Sequence, residues 1–390
     1  MAMDDVIVVG AGPAGAMAAT LLARAGARVR LFDRARFPRA KLCGDTLNPG
    51  AMQVLGANLS ITDVLAQSIP LDGMLLTGPN RVRVRGRYGD GLTGRAIERR
   101  HLDAILVRQA VAEGASFDDG VMVSAPRLDA TGRVIGIRLK GRDGRELDHD
   151  ARMVVAADGR ESRLARALGL LHHPAHPRRW AVGGYFESVD GLASAGEMHI
   201  RRGHYIGVAP MPGSVVNACL VVPQPSARGD LRNPARALAD GLASDPELAL
   251  RFARARMIEE PHVLGPMAVD ARAAGVPGLL VAGDAAGFID PMTGDGLRFA
   301  LAGAVMAAQT VVAVFAGRLG LDAAPRWLAQ RRRDAFGAKW RFNRSLRALV
   351  SSSMTVQAAA ISAQLLPAAF ETLIRYAGDC HVATASGQCD

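Results

Sequence analysis

The chain has 390 residues and 47 basic side chains, yet only three of these are lysines: Lys41, Lys140 and Lys339. Its formal charge of +10 is therefore an arginine charge. An excess of that size can serve nucleic acid or an anionic membrane. The arginines are scattered, however, and aromatic residues make up only 5%, too few for a base-stacking surface. No nucleic-acid partner is expected.

Cysteine is scarce as well. Cys43, Cys219, Cys380 and Cys389 form no C-x-x-C pair and no metal-ligand spacing. No metal site is expected, and so few cysteines in a long chain suit a reducing cytoplasm. The acidic start "MAMDD" runs straight into a strand pattern, so no signal peptide is expected. One long apolar run exists, "ALAGAVMAAQTVVAVFAG" from Ala300 to Gly317, long enough to span a bilayer. Gln309 and Thr310 interrupt it, and it follows a glycine turn, which favours a core helix. No internal repeat and no low-complexity block occurs.

What is present is a nucleotide-binding opening. "DVIVVG" is a buried parallel strand by its β-branched run, and "AGPAGAMAATLLARAG" follows at helical spacing. "ARVRLFDR" is the next strand, completing a βαβ unit. The turn holds G-x-G-x-x-G as Gly10, Gly12 and Gly15, with Pro13 and Ala14 between. Gly10 permits the tight turn, Gly12 lets a pyrophosphate reach the backbone, and Gly15 lets helix and strand pack closely. The N–H groups of the helix start then face the phosphates. Asp33, followed by Arg34, ends the second strand where a carboxylate can bind ribose hydroxyls. An acid there disfavours a 2′-phosphate, so the site suits the adenosine half of FAD or NAD.

Two further strands end in chemistry. "ARMVVAADGR" delivers Asp158 and Gly159. "GLLVAGDAAGFIDPMTGDGLRF" delivers Gly283 and Asp284, then a loop shaped by Pro291, Gly294 and Gly296, with Asp295 and Leu297 beside the last glycine. Asp284 is placed to hydrogen-bond a polyol, and a helix starting near Gly296 aims its positive end at whatever the loop holds. Between Trp180 and Val222 the pattern alternates as in an antiparallel sheet, which would face a substrate. Tyr205 and His199 lie there as candidate substrate-facing residues, each also readable as structural. A helix is expected over Asn233 to Met257. "RRRDAFGAKWRFNRSLR", Arg331 to Arg347, reads as a solvated basic helix, with peripheral membrane contact as the alternative.

"GAGPAG", "VVAADGRESRLARALG" and "GDAAGFIDPMTGDGLRFALAGAVMAA" resemble the three FAD motifs of the para-hydroxybenzoate-hydroxylase-type superfamily, the group A flavin monooxygenases. The resemblance covers Asp4 to about Phe315. Within it, "PRAKLCGD" looks most like the geranylgeranyl-reductase branch. It departs from that branch at Asp45, where a glycine is usual, and at "HYIGVAPMPGS", which lacks the branch's tryptophan and lysine. The signature of flavin halogenases is absent. The resemblance implies an α/β fold: a GR2-type, Rossmann-like FAD-binding domain interleaved with an α+β substrate domain on an antiparallel sheet, plus C-terminal helices. The expected division is 1–75, 96–175 and 265–320 for FAD, 76–95 and 176–264 for substrate, and 321–390 for the helical end.

It further implies that Arg99 contacts FAD, that Asp158-Gly159 lies near the pyrophosphate, and that Gly283-Asp284 binds the ribityl chain. Lys41 reads either as a solvated charge or as a cofactor contact. Cys43 and Gly44 are expected in a loop beside the flavin, Cys43 being a weak candidate for catalysis because no sequence-local base accompanies it. The expected enzyme is an FAD oxidoreductase with NAD(P)H as donor. It is read first as a monooxygenase of an apolar, aromatic or polyketide- or lipid-type small molecule. The alternative is a reductase of carbon–carbon double bonds in prenyl or polyketide lipids.

Overall fold

A computed structural model describes residues 3–42, 45–141, 144–174, 178–223, 231–350 and 353–380. Cys43 and Gly44 lie outside the described residues. The strand Asp4–Val9 pairs in parallel with Glu146–Ala156 on one side and Val29–Phe32 on the other. Ser116–Asp118 and Leu279–Val281 extend this parallel sheet outwards. Strand alternation explains why the first strand has no polar interior. Val6 and Val8 pack into one buried cluster, and Ile7 and Val9 into another on the opposite face. Both faces of a parallel sheet must be covered. The hairpin predicted at "VIGIRLKGRDGREL" is present as Val134–Lys140 against Glu146–Ala156.

The helices follow in chain order: α1 Pro13–Arg24, α2 Pro49–Asn58, α3 Thr62–Ala66, α4 Arg99–Ala112, α5 Arg163–Ala167, α6 Pro234–Ser244, α7 Gly296–Phe315, α8 Ala324–Val350, α9 Ser353–Leu365 and α10 Pro367–Ala377. α7 is long and apolar enough to cross a membrane, and half of its apolar window is buried inside the protein. Small residues Ala300, Ala304, Ala307 and Ala308 let it pack tightly beside α1.

A second, mainly antiparallel sheet runs Arg256–Met257, Arg179–Glu187, Val216–Pro223, Tyr205–Pro210, Gly196–Ile200, Gly73–Thr77, Arg83–Arg87. The strand Gly73–Thr77 belongs wholly to this sheet, so the boundary expected at residue 76 cuts through it. α6 covers one face through Leu238 and Leu242. Val350 and Val356 cover the other. The helix expected over Asn233 to Met257 stops at Ser244. There the buried Asp245 carboxylate takes the N–H groups of Glu247 and Leu248 and pairs with Arg201, so the backbone turns away.

Candidate functional site

The site starts at the end of the first strand. Gly10 has φ +96°, and a Cβ on it would lie 2.4 Å from the Ala157 carbonyl oxygen. A Cβ on Gly15 would lie 1.7 Å from the Gly10 carbonyl oxygen. No side chain larger than hydrogen fits either place. α1 begins at Pro13 with Gly12 as its N-cap and no side-chain cap, leaving its first N–H groups to a ligand. The atoms nearest a Cβ on Gly12 are guanidinium nitrogens of Arg39, at 3.6 Å, and Arg99, at 3.8 Å. Two cations and a positive helix end thus converge on a bare backbone, a donor set that fits a pyrophosphate.

Asp103, fully buried, holds both cations. Arg99 donates to it at 2.8 and 2.9 Å, one helical turn away on α4, and Arg39 pairs with it at 3.2 Å. Asp33 accepts from Ala11 N–H at 2.8 Å and Ala35 N–H at 2.8 Å, and Arg39 lies 3.7 Å from it. Each carboxylate oxygen can accept a second hydrogen bond, so ribose hydroxyls remain within its capacity. Arg34, next to it, is exposed. Arg39 and Asp103 were not singled out from sequence. The i, i+4 spacing of Arg99 and Asp103 was a usable signal. Arg39 stood in a loop whose path only the fold reveals.

The other two motifs close on the same loop. A Cβ on Gly10 would stand 2.7 Å from Asp158 Cα, and one on Gly283 would stand 2.8 Å from Ala14 Cβ. Asp158 accepts from Arg163 N–H at 2.9 Å, anchoring α5, while its other oxygen is buried without a partner among the described residues. Burial raises its pKa. Gly159 has φ +86° and open space around it. Asp284 has no side-chain partner among the described residues and lines a cavity of about 260 Å³. Lys41 is half-buried; burial and Arg99 lower its pKa, opposed by Asp284 and Asp103. Lys41 thus feels the charges of Arg99 and Arg39 on one side and of Asp284 and Asp103 on the other. These residues together fit FAD.

Asp45, two residues beyond Cys43, is fully buried with φ +52°. That left-handed conformation is the one glycine adopts freely and aspartate tolerates. Its carboxylate accepts from Tyr185 OH at 2.6 Å, Asn217 Nδ2 at 2.7 Å and Arg99 N–H at 3.2 Å. Burial raises its pKa to about 7 against these three donors. Asp45 therefore ties the FAD loop to the second sheet.

Several expected positions are placed differently. Tyr205 does not line the apolar cavity described below; it is buried, with its OH 2.5 Å from Asp290, which also receives Arg179 at 2.9 Å. His199 is buried off the cavity too, between Thr77 at 2.9 Å and Glu197 at 2.9 Å, and Arg251 closes that chain on Glu197. Strand register turned both side chains inward. Asp295 accepts from Asn48 at 3.2 Å and Asn343 at 3.0 Å and faces Lys339 at 3.4 Å. Lys339 also reaches Asp379 at 3.1 Å. Burial, reinforced by Asp379 and opposed by Lys339, raises Asp295 to about 7. This buried network ties α8 and Asp379, just after α10, to the start of α7. Leu297 is a core residue. The basic helix is likewise not a plain solvated face, since Arg332, Lys339 and Arg347 of α8 are buried.

Pro291, Thr293 and Gly294 line a cavity of about 250 Å³. Its wall is largely aliphatic and aromatic: Met74, Leu76 and Met198 from the second sheet, Phe342 and Leu346 from α8, Val356 and Ala359 from α9, Phe370 and Ile374 from α10. Polar groups are few; Thr46, Asn48, Thr77, Glu197 and Asn217 are among them. Among the described residues no group of three or more His, Cys, Asp or Glu side chains could hold a metal ion.

A family model described as "FAD binding domain" matches residues 3–335. A digeranylgeranylglycerophospholipid reductase of Methanopyrus kandleri is 30% identical over 313 residues, 76% of this chain and 77% of its own length. A menaquinone reductase of Mycolicibacterium smegmatis is 30% identical over 319 residues, 78% and 75% of the two chains. The chain spans 64% of the length of another relative, Conditioned medium factor receptor 1 of Dictyostelium discoideum, at 28% identity over 80% of its own. The fold matches a triple mutant of the flavin-dependent brominase Bmp2, with TM-score 0.83 and 21% identity over 97% and 94% of the chains. It also matches a geranylgeranyl bacteriochlorophyll reductase-like protein of Thermoplasma acidophilum, with TM-score 0.76 and 20% identity over 97% and 92%. The chain belongs to the FAD binding domain family within the para-hydroxybenzoate-hydroxylase-type superfamily, and it is an FAD-dependent oxidoreductase.

Proposed function

We propose that this enzyme reduces carbon–carbon double bonds in a prenyl-type lipid, with NAD(P)H as the electron donor. The observation that carries the reading is the cavity of about 250 Å³, apolar on nearly every side and bordered by the loop at Pro291–Thr293. An extended hydrocarbon loses little by leaving water for such a wall and gains about 25 cal/mol per Å² buried. The two reductases that are 30% identical over three quarters of this chain support a reductive reaction over the hydroxylation read first from sequence.

FAD, when bound, supplies the two-electron redox chemistry. The chain supplies its placement. Arg39, Arg99 and the α1 start hold the pyrophosphate, Asp33 the ribose, and Asp284 the polyol. Thr46 and Asn217 give the cavity a small polar edge, and Asn217 is held there by its hydrogen bond to the buried Asp45. The apolar wall orients the chain of the substrate and keeps water out.

Monooxygenation is the second reading, and one relative favours it: a squalene monooxygenase of Panax ginseng, 28% identical over 324 residues. One anaerobic experiment divides the two. The purified yellow protein is reduced with NADPH and given a geranylgeranyl-bearing phospholipid. A product heavier by pairs of hydrogens supports reduction. No change without oxygen, followed by oxygen incorporation in air, refutes it.

A further inference from the structure

The C-terminal helices carry an apolar face that points the wrong way for a core. On α9, Met354, Ala358, Ile361 and Leu365 recur at spacings of four, three and four, which is one face of a helix. Such a stripe normally packs inward. Here it faces outward: Met354 is 79% exposed, Ile361 49% and Leu365 74%, and Leu366 just beyond is 61% exposed. Val356 and Ala359, on the opposite face of the same helix, line the cavity. From Ala348 to Phe370 there is no charged residue of either sign. In sequence the stretch lies between buried Arg347 and exposed Glu371, and basic groups lie beside it in space. Exposed Arg202 lies 3.5 Å from Gln357 of α9. The turn Pro79–Arg81 packs against α9 and presents exposed Arg81, which has no ion-pair partner among the described residues.

We propose that the outer face of α9, with Leu366, seats in an anionic lipid bilayer, so that the substrate passes from the membrane past α9 into the cavity. The proposal rests on the reading of the substrate as a lipid. Its occupant is chosen by charge: an apolar stripe with no carboxylate, rimmed by exposed guanidinium groups, complements acyl chains below a layer of anionic headgroups. A single helix separates bilayer from cavity, so an apolar molecule need not cross water to reach the site. The face is not the basic helix expected from sequence, because α8 spends several of its cations inside the protein.

The test is flotation of the FAD-loaded protein with vesicles of phosphatidylcholine and phosphatidylglycerol, with no substrate added. The full chain should float, and added salt should weaken it. Ile361→Asp and Leu365→Asp should each lower vesicle affinity at least about tenfold, since each removes an apolar side chain from the seat. Their FAD content and their flavin reduction by NADPH should be unchanged, because neither residue lines the cavity. Leu365→Gln, a milder change, should fall between. Arg81→Glu combined with Arg202→Glu should weaken binding to these vesicles and leave FAD content unchanged. Failure of the full chain to float, or flotation undiminished in the aspartate variants, overturns the proposal. So does a dimer in light scattering that Ile361→Asp dissolves while vesicles bind nothing, since the face would then join two copies. Vesicle binding is read without turnover, so its loss and the failure of the reductase reading are separate results.

Discussion

Asp45 offers a sharp perturbation. It is a carboxylate with no water contact, held at φ +52° by three donors. Its pKa rises from 3.8 to about 7, with burial as the dominant cause. Such a rise corresponds to a cost on the order of 4 kcal/mol for holding the ionised form, as an upper figure. The sign follows from proton uptake. Between those two values the folded state binds more protons at this residue than the unfolded chain, so its share of the stability is present at acid pH. It is lost as pH rises through about 7. Asparagine keeps the left-handed backbone and an acceptor for Tyr185, and it carries no charge. Asp45→Asn turns an N–H₂ towards one of the three donors, a cost that does not vary with pH, so its stability relative to the parent should rise by up to about 4 kcal/mol between pH 4 and pH 8. The assay is denaturant unfolding of both FAD-loaded proteins across that range, read as the difference between them. The difference matters because Asp295 also titrates near 7 and affects both proteins alike. A difference that does not change with pH would refute the reasoning.

The remaining predictions concern the cofactor cradle and the C-terminal clamp. Gly15→Ala sets a methyl group 1.7 Å from a backbone oxygen, so the variant should purify without flavin, checked by the absorbance ratio of flavin to protein. Arg39→Ala removes one of the two guanidinium groups over Gly12 and should weaken FAD binding by roughly 10- to 100-fold in a fluorescence titration, the scale of a charge-assisted hydrogen bond. Arg39→Lys keeps the charge without the planar fork of donors, and in the same titration it should bind FAD little better than Arg39→Ala. Lys339→Met leaves Asp295 and Asp379 facing each other in a buried site, and should cost about 3–5 kcal/mol, seen as a lowered Tm with the first loss at the C-terminal helices by hydrogen exchange.

The cofactor half of the enzyme was legible in the sequence because its signals are local. Gly10, Gly12 and Gly15 answer to one tight turn, and Asp33, Asp158 and Asp284 each stand where a buried strand ends. A strand that ends at the edge of a parallel sheet must deliver its next residues to the same crevice, so the spacing alone brought them together. Tertiary structure decided the rest. Arg39 becomes a phosphate-side cation only because Asp103, on a distant helix, holds it there. Tyr205 and His199 turned inward because strand register, which a one-residue slip would reverse, assigns faces. Asp295 is drawn into a buried network with α8 and Asp379, partners far along the chain, while it still borders the cavity that Asp284 lines. The apolar cavity is assembled from strands of the second sheet, the loop at Pro291–Gly294 and the three helices α8, α9 and α10, and no short stretch encodes an enclosure. Sequence by itself determined that this chain builds a dinucleotide site, since backbone geometry at a few glycines and acids demands it, and its resemblance to a flavoprotein superfamily chose FAD. Only the packing of remote elements decided what lies beside the flavin and which apolar face of α9 is left without a cover.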